Sequence, residues 1–170
     1  NSFKVGERVC VAPGHGCGHC KMCKLGHPNV CENPHPSMGY KINGGFAEYI
    51  AVPKHILELG FVNRIPDNLS CRQASMAEII ACCINAQKNV KVNPGDTVLR
   101  MGAGPPGLIH AHLAKINGAK KVIVTQRSEE RLINMKENFS DIVDVVIPSN
   151  KVDLFETVRM ETDGFGPDVI

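Results

Sequence analysis

The sequence predicts an α/β chain: a partial β-domain carrying a metal-stapled loop, followed by a partial, doubly wound parallel sheet covered by helices. Three observations carry that expectation. Cys17, Cys20, Cys23 and Cys31 form a C-x2-C-x2-C-x7-C run. Residues 1 to about 66 are rich in Gly, Pro, Cys and His with only short β-like runs, whereas strand-like and helix-like segments alternate from Val98 onward. Gly102-Ala103-Gly104-Pro105-Pro106-Gly107 falls where the first of those strands passes into a helix.

In the first region, 1–66, Val9 to Val11 reads as a strand. Phe46 to Val52 reads as another, entered through Gly44-Gly45 and stopped by Pro53. Between them lies the cysteine lobe, residues 14–36, where Pro28, Pro34 and Pro36 block regular structure. Four thiolates close a tetrahedral shell around Zn²⁺ at Zn–S distances of about 2.3 Å. Such a shell leaves no position for water or substrate, so this centre is structural. A connecting helical segment, 67–93, starts at the N-cap Ser70 and runs to about Asn89.

The third region, 94–170, opens on the turn Asn93-Pro94-Gly95-Asp96. Strands are expected at Val98–Met101, Val122–Thr125 and Val143–Ile147. Helices are expected from Pro105 or Pro106 to about Asn117, from Ser128 to about Asn138, and from Val152 to about Glu161. Asp168-Val169-Ile170 begins a fourth strand, which leaves the sheet unfinished, so an internal piece of a longer protein is expected.

Each glycine of the strand-to-helix turn has a separate task. Gly102 makes the tight turn, Gly104 lets backbone approach a pyrophosphate, and Gly107 lets helix pack on strand. Pro105 and Pro106 fit the first helical turn, whose N–H groups and dipole favour phosphate. The acid that would bind an adenosine ribose 2′-OH is missing from the end of the second strand, which reads Thr125-Gln126-Arg127-Ser128. A neutral Gln126 beside Arg127 favours NADP(H) over NAD(H). The alternative is that Gln126 bonds the ribose hydroxyls of NAD and Arg127 is a solvated charge. Arg131 is a further candidate beside the adenine.

The totals exclude several classes. A net charge of +2 over 170 residues is too small for a nucleic-acid or anionic-membrane binder. No apolar run reaches the ~18–20 residues of a membrane span, and no signal peptide opens the sequence. Eight cysteines, four of them at metal spacing, suit a reducing, cytoplasmic setting better than a disulfide scaffold. Cys82 and Cys83 point about 100° apart on a helix, so they are expected in the core, as are Cys10 and Cys71. His15, His19, His27 and His35 surround the lobe as loop or surface residues. Lys4 and Arg8 are expected as solvated charges, as are Lys21 and Lys24, which partly offset the negative charge of a Zn(Cys)₄ centre.

Taken together, the chain resembles the zinc-containing medium-chain dehydrogenase/reductases, which include alcohol, sorbitol and threonine dehydrogenases. The resemblance rests on Val5-Gly6-Glu7-Arg8-Val9, Cys17 to Cys31, Gly44 to Tyr49, Met76-Ala77-Glu78, Gly95 to Val98, Gly102 to Gly107, Arg131-Leu132 and Gly164 to Asp168. It implies a GroES-like β-domain joined to a Rossmann domain, with Cys17, Cys20, Cys23 and Cys31 as ligands of a structural zinc. It also implies hydride transfer between a secondary alcohol or polyol and NADP(H) or NAD(H), assisted by a second, catalytic zinc, in a homo-oligomeric full-length enzyme.

Glu78 falls where the family's Glu-Pro-Leu motif places a catalytic-zinc ligand, although Ile79 stands in place of the Pro. The alternative for Glu78 is a helix acid with no metal. The other catalytic ligands in the sorbitol-like branch precede the strand that here begins at Val5, so the isolated chain is expected to be inactive. Where Gln126 stands, the family carries an Asp. The rival reading is a non-catalytic zinc-stapled nucleotide-binding module; a zinc-ribbon nucleic-acid binder would need a basic stripe that is missing.

Overall fold

The apolar run Val9–Val11 (β1) pairs antiparallel with Val62–Arg64 (β2), in the register Val9 to Arg64 and Val11 to Val62. These elements belong to a computed structural model that describes residues 3–14 and 16–170. The chain divides into two units, Asn1–Ala77 and Glu78–Ile170. In the first, Lys21–Lys24 (α1) is a single turn within the cysteine lobe. Lys54–Glu58 (α2) starts after Pro53 and drives Ile56 into a small core with Met38 and Val62.

The segment Phe46–Val52 forms no strand, against the expectation from its composition. A strand needs a neighbour to satisfy its backbone groups, and among the described residues none lies beside it; Phe46 and Tyr49 are exposed. Arg8 is more than a solvated charge. Its guanidinium donates to the carbonyls of Leu69 (2.7 Å) and Pro66 (3.1 Å), tying β1 to the segment that follows β2.

The helix expected from Ser70 is two helices, Cys71–Ala74 (α3) and Ala77–Val90 (α4). Ser70 and Gln73 form a capping box that satisfies the first N–H groups of α3. The Ser75 hydroxyl then donates to the Arg72 carbonyl at 2.7 Å, a local bond that competes with helix continuation. Of the thiols expected in the core, Cys83 is buried, Cys10 is partly buried, and Cys71 and Cys82 are exposed. On α4, Cys83 and Cys82 are neighbours on a helix buried along one narrow stripe, so only one of them faces inward.

The second unit is a parallel sheet. Thr97–Met101 (β3) leads through Pro105–Ile116 (α5) to Lys121–Gln126 (β4), then through Glu129–Asn138 (α6) to Val145–Pro148 (β5), and on to Leu154–Glu161 (α7). β4 lies between β3 and β5. The chain then returns to the opposite edge of β3, where Val169 bridges Val98 in parallel and its carbonyl accepts from the Leu99 N–H at 2.8 Å. Strand order therefore reverses at β3, the arrangement that opens a ligand crevice at the carboxyl end of the sheet.

The faces of the sheet are both covered. Val98, Val122 and Val124 pack with Ala111 and Ala114 of α5 and Met135 of α6, while Leu99, Ile123 and Ile147 pack with Val158 of α7. Two fully buried alanines let α5 lie close to the strands. Val122, Ile123 and Val124 are all fully buried, as a central parallel strand requires.

Replacing Ile123 by Ala should cost about 2–5 kcal/mol of unfolding free energy, through lost burial and a residual cavity. Ile133→Ala, at an exposed position of α6, should change stability by less than about 0.5 kcal/mol. Urea unfolding of both variants checks this, and equal effects would contradict the assigned faces.

Candidate metal centre and nucleotide turn

The cysteine lobe is shaped by backbone that only small residues permit. Gly16 has φ +95°, and a Cβ there would come within 2.9 Å of Pro28 Cβ and 3.0 Å of Cys23 Sγ. The chain consequently folds back on itself, and α1 begins with Cys20 as N-cap, its sulfur accepting from the Cys23 N–H. Backbone N–H groups point at sulfur throughout: Cys17 N–H at Cys31 Sγ (3.3 Å), Cys20 N–H at Cys17 Sγ (3.3 Å) and Cys23 N–H at Cys20 Sγ (3.5 Å).

The four sulfurs lie within 4.8 Å of one another. Cys20 Sγ and Cys31 Sγ are 3.7 Å apart. Zinc with four thiolates at about 2.3 Å needs sulfur–sulfur separations of about 3.8 Å. The donor set and its spacing therefore fit a tetrahedral Zn²⁺ centre, and all four cysteines are free of disulfides.

Crowding divides the acidities of the thiols. Backbone N–H groups of Cys23 and Glu32 lower Cys20 to about 6. Those of His19 and Cys20 lower Cys17. Desolvation raises Cys31 to about 11, and the adjacent thiols of Cys17 and Cys23 add to that rise. A divalent cation removes the conflict by stabilising all four thiolates together.

Lys21, Lys24, His19 and His27 are exposed around the lobe. His19 Nδ1 lies 2.9 Å from the Cys17 carbonyl, and His35 stacks on His55 with ring centroids 4.7 Å apart. His15 lies outside the described residues.

In the second unit, the turn Gly102–Gly107 sits at the carboxyl end of β3 where strand order reverses. The Gly102 N–H donates to the Thr125 carbonyl at 2.8 Å, pinning the turn to the end of β4. Gly104 is the N-cap of α5, and Pro105 and Pro106 open the helix. Gly107 lies so close to the turn that a Cβ would fall 2.1 Å from the Gly102 carbonyl oxygen. The first turn of α5 thus rests directly on the glycine turn; Pro105 and Pro106 carry no N–H, so the amides of that turn are those of Gly104 and Gly107.

Gln126 uses its carbonyl oxygen internally, accepting from the N–H groups of Arg127 (2.7 Å) and Ser128 (3.3 Å). It caps the start of α6 where the Ser128 side chain makes no cap. Only its amide N–H groups remain for a ligand. Arg127 and Arg131 are exposed, and Arg131 Nη1 lies 3.9 Å from where a Gly104 Cβ would be. The structure therefore brings Arg131 to the glycine turn itself.

Glu78 is exposed on α4 and accepts from the Cys82 thiol at 3.4 Å, one helical turn away, which raises the Cys82 pKa. The spacing of four residues on a helix was the available signal for that pair. A second residue missed in the sequence is Arg100 of β3, whose Nε is buried beneath α5; its place in an otherwise apolar strand was the signal.

Comparison with known proteins places these features. Residues 1–61 match the alcohol dehydrogenase GroES-like domain. Sorbitol dehydrogenase of Bacillus subtilis (strain 168) is 35% identical over 170 residues, 99% of this chain and 46% of that protein. The alcohol dehydrogenase RspB of E. coli CFT073, solved with NADH, superposes with a TM-score of 0.80 at 35% identity, covering 93% of this chain and 44% of its own. A Sinorhizobium meliloti 1021 protein solved bound to NADP superposes at 0.78 with 27% identity, covering 92% and 43%. The chain spans about half the length of the curated relatives it matches.

The acidities of the lobe are directly measurable. In the metal-free chain, iodoacetamide at pH 7 should modify Cys20 before Cys31, because a thiol near 6 is mostly thiolate there and one near 11 is not. Peptide mapping across a pH series reads the order, and simultaneous modification of both would contradict it.

Proposed function

This chain belongs to the zinc-containing medium-chain dehydrogenase/reductase family, and from that premise we propose that it serves an alcohol or polyol dehydrogenase. The reaction is reversible transfer of hydride between the carbinol carbon of a secondary alcohol and the nicotinamide of NADP(H) or NAD(H), with one proton released on oxidation. The observation that carries this reading is one chain holding both a four-sulfur cluster within 4.8 Å and a glycine turn at a strand-order reversal.

The residues divide the work by location. Cys17, Cys20, Cys23 and Cys31 would hold a structural Zn²⁺, all four positions filled by protein, so their task is to fix residues 14–36. Gly102, Gly104 and Gly107, with the first turn of α5, cradle the pyrophosphate, and Pro105 and Pro106 fix the start of that helix. Glu78 would offer a carboxylate oxygen to a catalytic zinc, which would supply Lewis-acid polarisation of the alcohol oxygen; among the described residues no set of metal ligands gathers around it. Eight free thiols suit a reducing compartment such as the cytoplasm.

The preference proposed for NADP(H) rests on the donors at the end of β4. With the Gln126 oxygen occupied by two backbone N–H groups, the side chain presents only donors. Arg127 is adjacent, and Arg131 stands at the turn. A 2′-phosphate would accept from all three, and positions 126 and 127 carry no carboxylate to repel it; Glu129, which pairs with Lys151, and Glu130 follow in the first turn of α6.

Native mass spectrometry should find one zinc per chain, lost on Cys31→Ser; a wild-type chain that takes up no zinc would contradict the structural assignment. Fluorescence titration should show NADPH bound more tightly than NADH, with Gln126→Asp reversing the order by about tenfold through charge repulsion. Tighter NADH binding by the wild type would contradict the NADP(H) assignment.

A further inference from the structure

Arg100 is a cation in a strand whose inward neighbours are apolar. It lies two residues after Val98, on the face of β3 that meets α5, where β4 presents Val122 and Val124. Its Nε is buried and makes no hydrogen bond, while the residue as a whole is half-buried. A Cβ on Gly107 would lie 3.8 Å from that nitrogen, so the guanidinium stem is held beneath the first turn of α5.

The charge of Arg100 acts on both helices around it. Burial first and Arg100 second hold the His110 imidazole on α5 below its usual range. The same charge opposes the upward push that burial gives the Cys83 thiol on α4. Cys83 in turn lies near the Pro106 carbonyl, at 3.9 Å, and Gln87 donates to the His110 carbonyl at 2.7 Å. Among the described residues, no carboxylate forms an ion pair with Arg100.

Two positive sources therefore share one place, the N-terminus of α5 and Arg100. A helix N-terminus disfavours a cation and favours an anion. A buried N–H without an acceptor adds to the cost of the ligand-free state. We propose that Arg100 is a positioning residue for the dinucleotide: its uncompensated charge beneath the glycine turn draws the pyrophosphate in, and the bound anion relieves that charge. This rests on the dinucleotide reading of the turn. It makes cofactor affinity and ligand-free stability opposed properties of one side chain.

The test uses the whole chain as wild type, Arg100→Leu and Arg100→Lys. NADH and NADPH are titrated by fluorescence at about 50 and 200 mM salt, alongside thermal melts. Arg100→Leu should weaken both dinucleotides about tenfold and flatten the salt dependence, with a ligand-free melting temperature equal to or above wild type; Arg100→Lys should stay within about threefold of wild type. By NMR, the His110 titration should move to higher pH when wild type is saturated with NADH, and the ligand-free Leu variant should already titrate above ligand-free wild type, because the Arg100 charge that helps hold His110 down is gone; a purely packing role for Arg100 would not produce that second difference.

Unchanged affinity and salt dependence in the Leu variant would overturn the proposal. Should that variant fail to fold, a wild-type His110 titration unmoved by NADH would overturn it equally. Wild type binding neither dinucleotide would instead defeat the reading of the turn itself, and this inference with it.

Discussion

Residues 14–36 contain almost nothing that holds a chain in place except sulfur. One helical turn and a three-residue 3₁₀ turn, Pro28–Val30, are all the regular structure among the described residues there. Of the four lobe cysteines only Cys17 is buried, and Leu25 and Val30 face solvent. Four thiols within 4.8 Å cannot ionise together without a counter-charge, and the N–H groups aimed at them favour their ionised forms. The geometry of the lobe is therefore that of a metal ligand set, and apolar burial contributes little to it. Apparent binding free energies of structural zinc in small peptides, on the order of 10–16 kcal/mol, are large enough to take that place.

The second unit is held differently, by a conventional apolar sandwich of sheet between helices. The features proposed to hold the dinucleotide lie where that sandwich is interrupted. The glycine turn leaves out side chains so that backbone meets backbone, Gln126 turns its oxygen inward to cap α6, and Arg100 places a charge among valines. Each departs from good packing or good capping, and all lie around the carboxyl ends of β3 and β4. Local sacrifices of this kind concentrate at functional sites.

What was legible in the sequence follows from the range of the determining interaction. The cysteine spacing, the glycine turn and the alternation of β3, α5, β4, α6, β5 and α7 are set by neighbours a few residues apart, and their elements formed within a few residues of expectation. Phe46–Val52 has strand composition without a neighbour, and β2, which does pair with β1, is too short to stand out. The break at Ser75 depends on one hydroxyl's choice of acceptor. Arg131 reaching the turn at Gly104 and Arg100 lying beneath Gly107 are contacts between residues 27 and 7 positions apart in the chain, and no periodicity announces them.

The return of the chain to β3 has a kinetic consequence. The Asp168 carboxylate accepts from the Thr97 N–H at 2.7 Å across 71 residues, and Val169 completes the pairing. Closing a loop that long costs somewhat more chain entropy than the β3–β4 and β4–β5 pairings, which each close over a single helix. The three-stranded core can thus assemble before Asp168 and Val169 pair with the other edge of β3, on the side where strand order reverses.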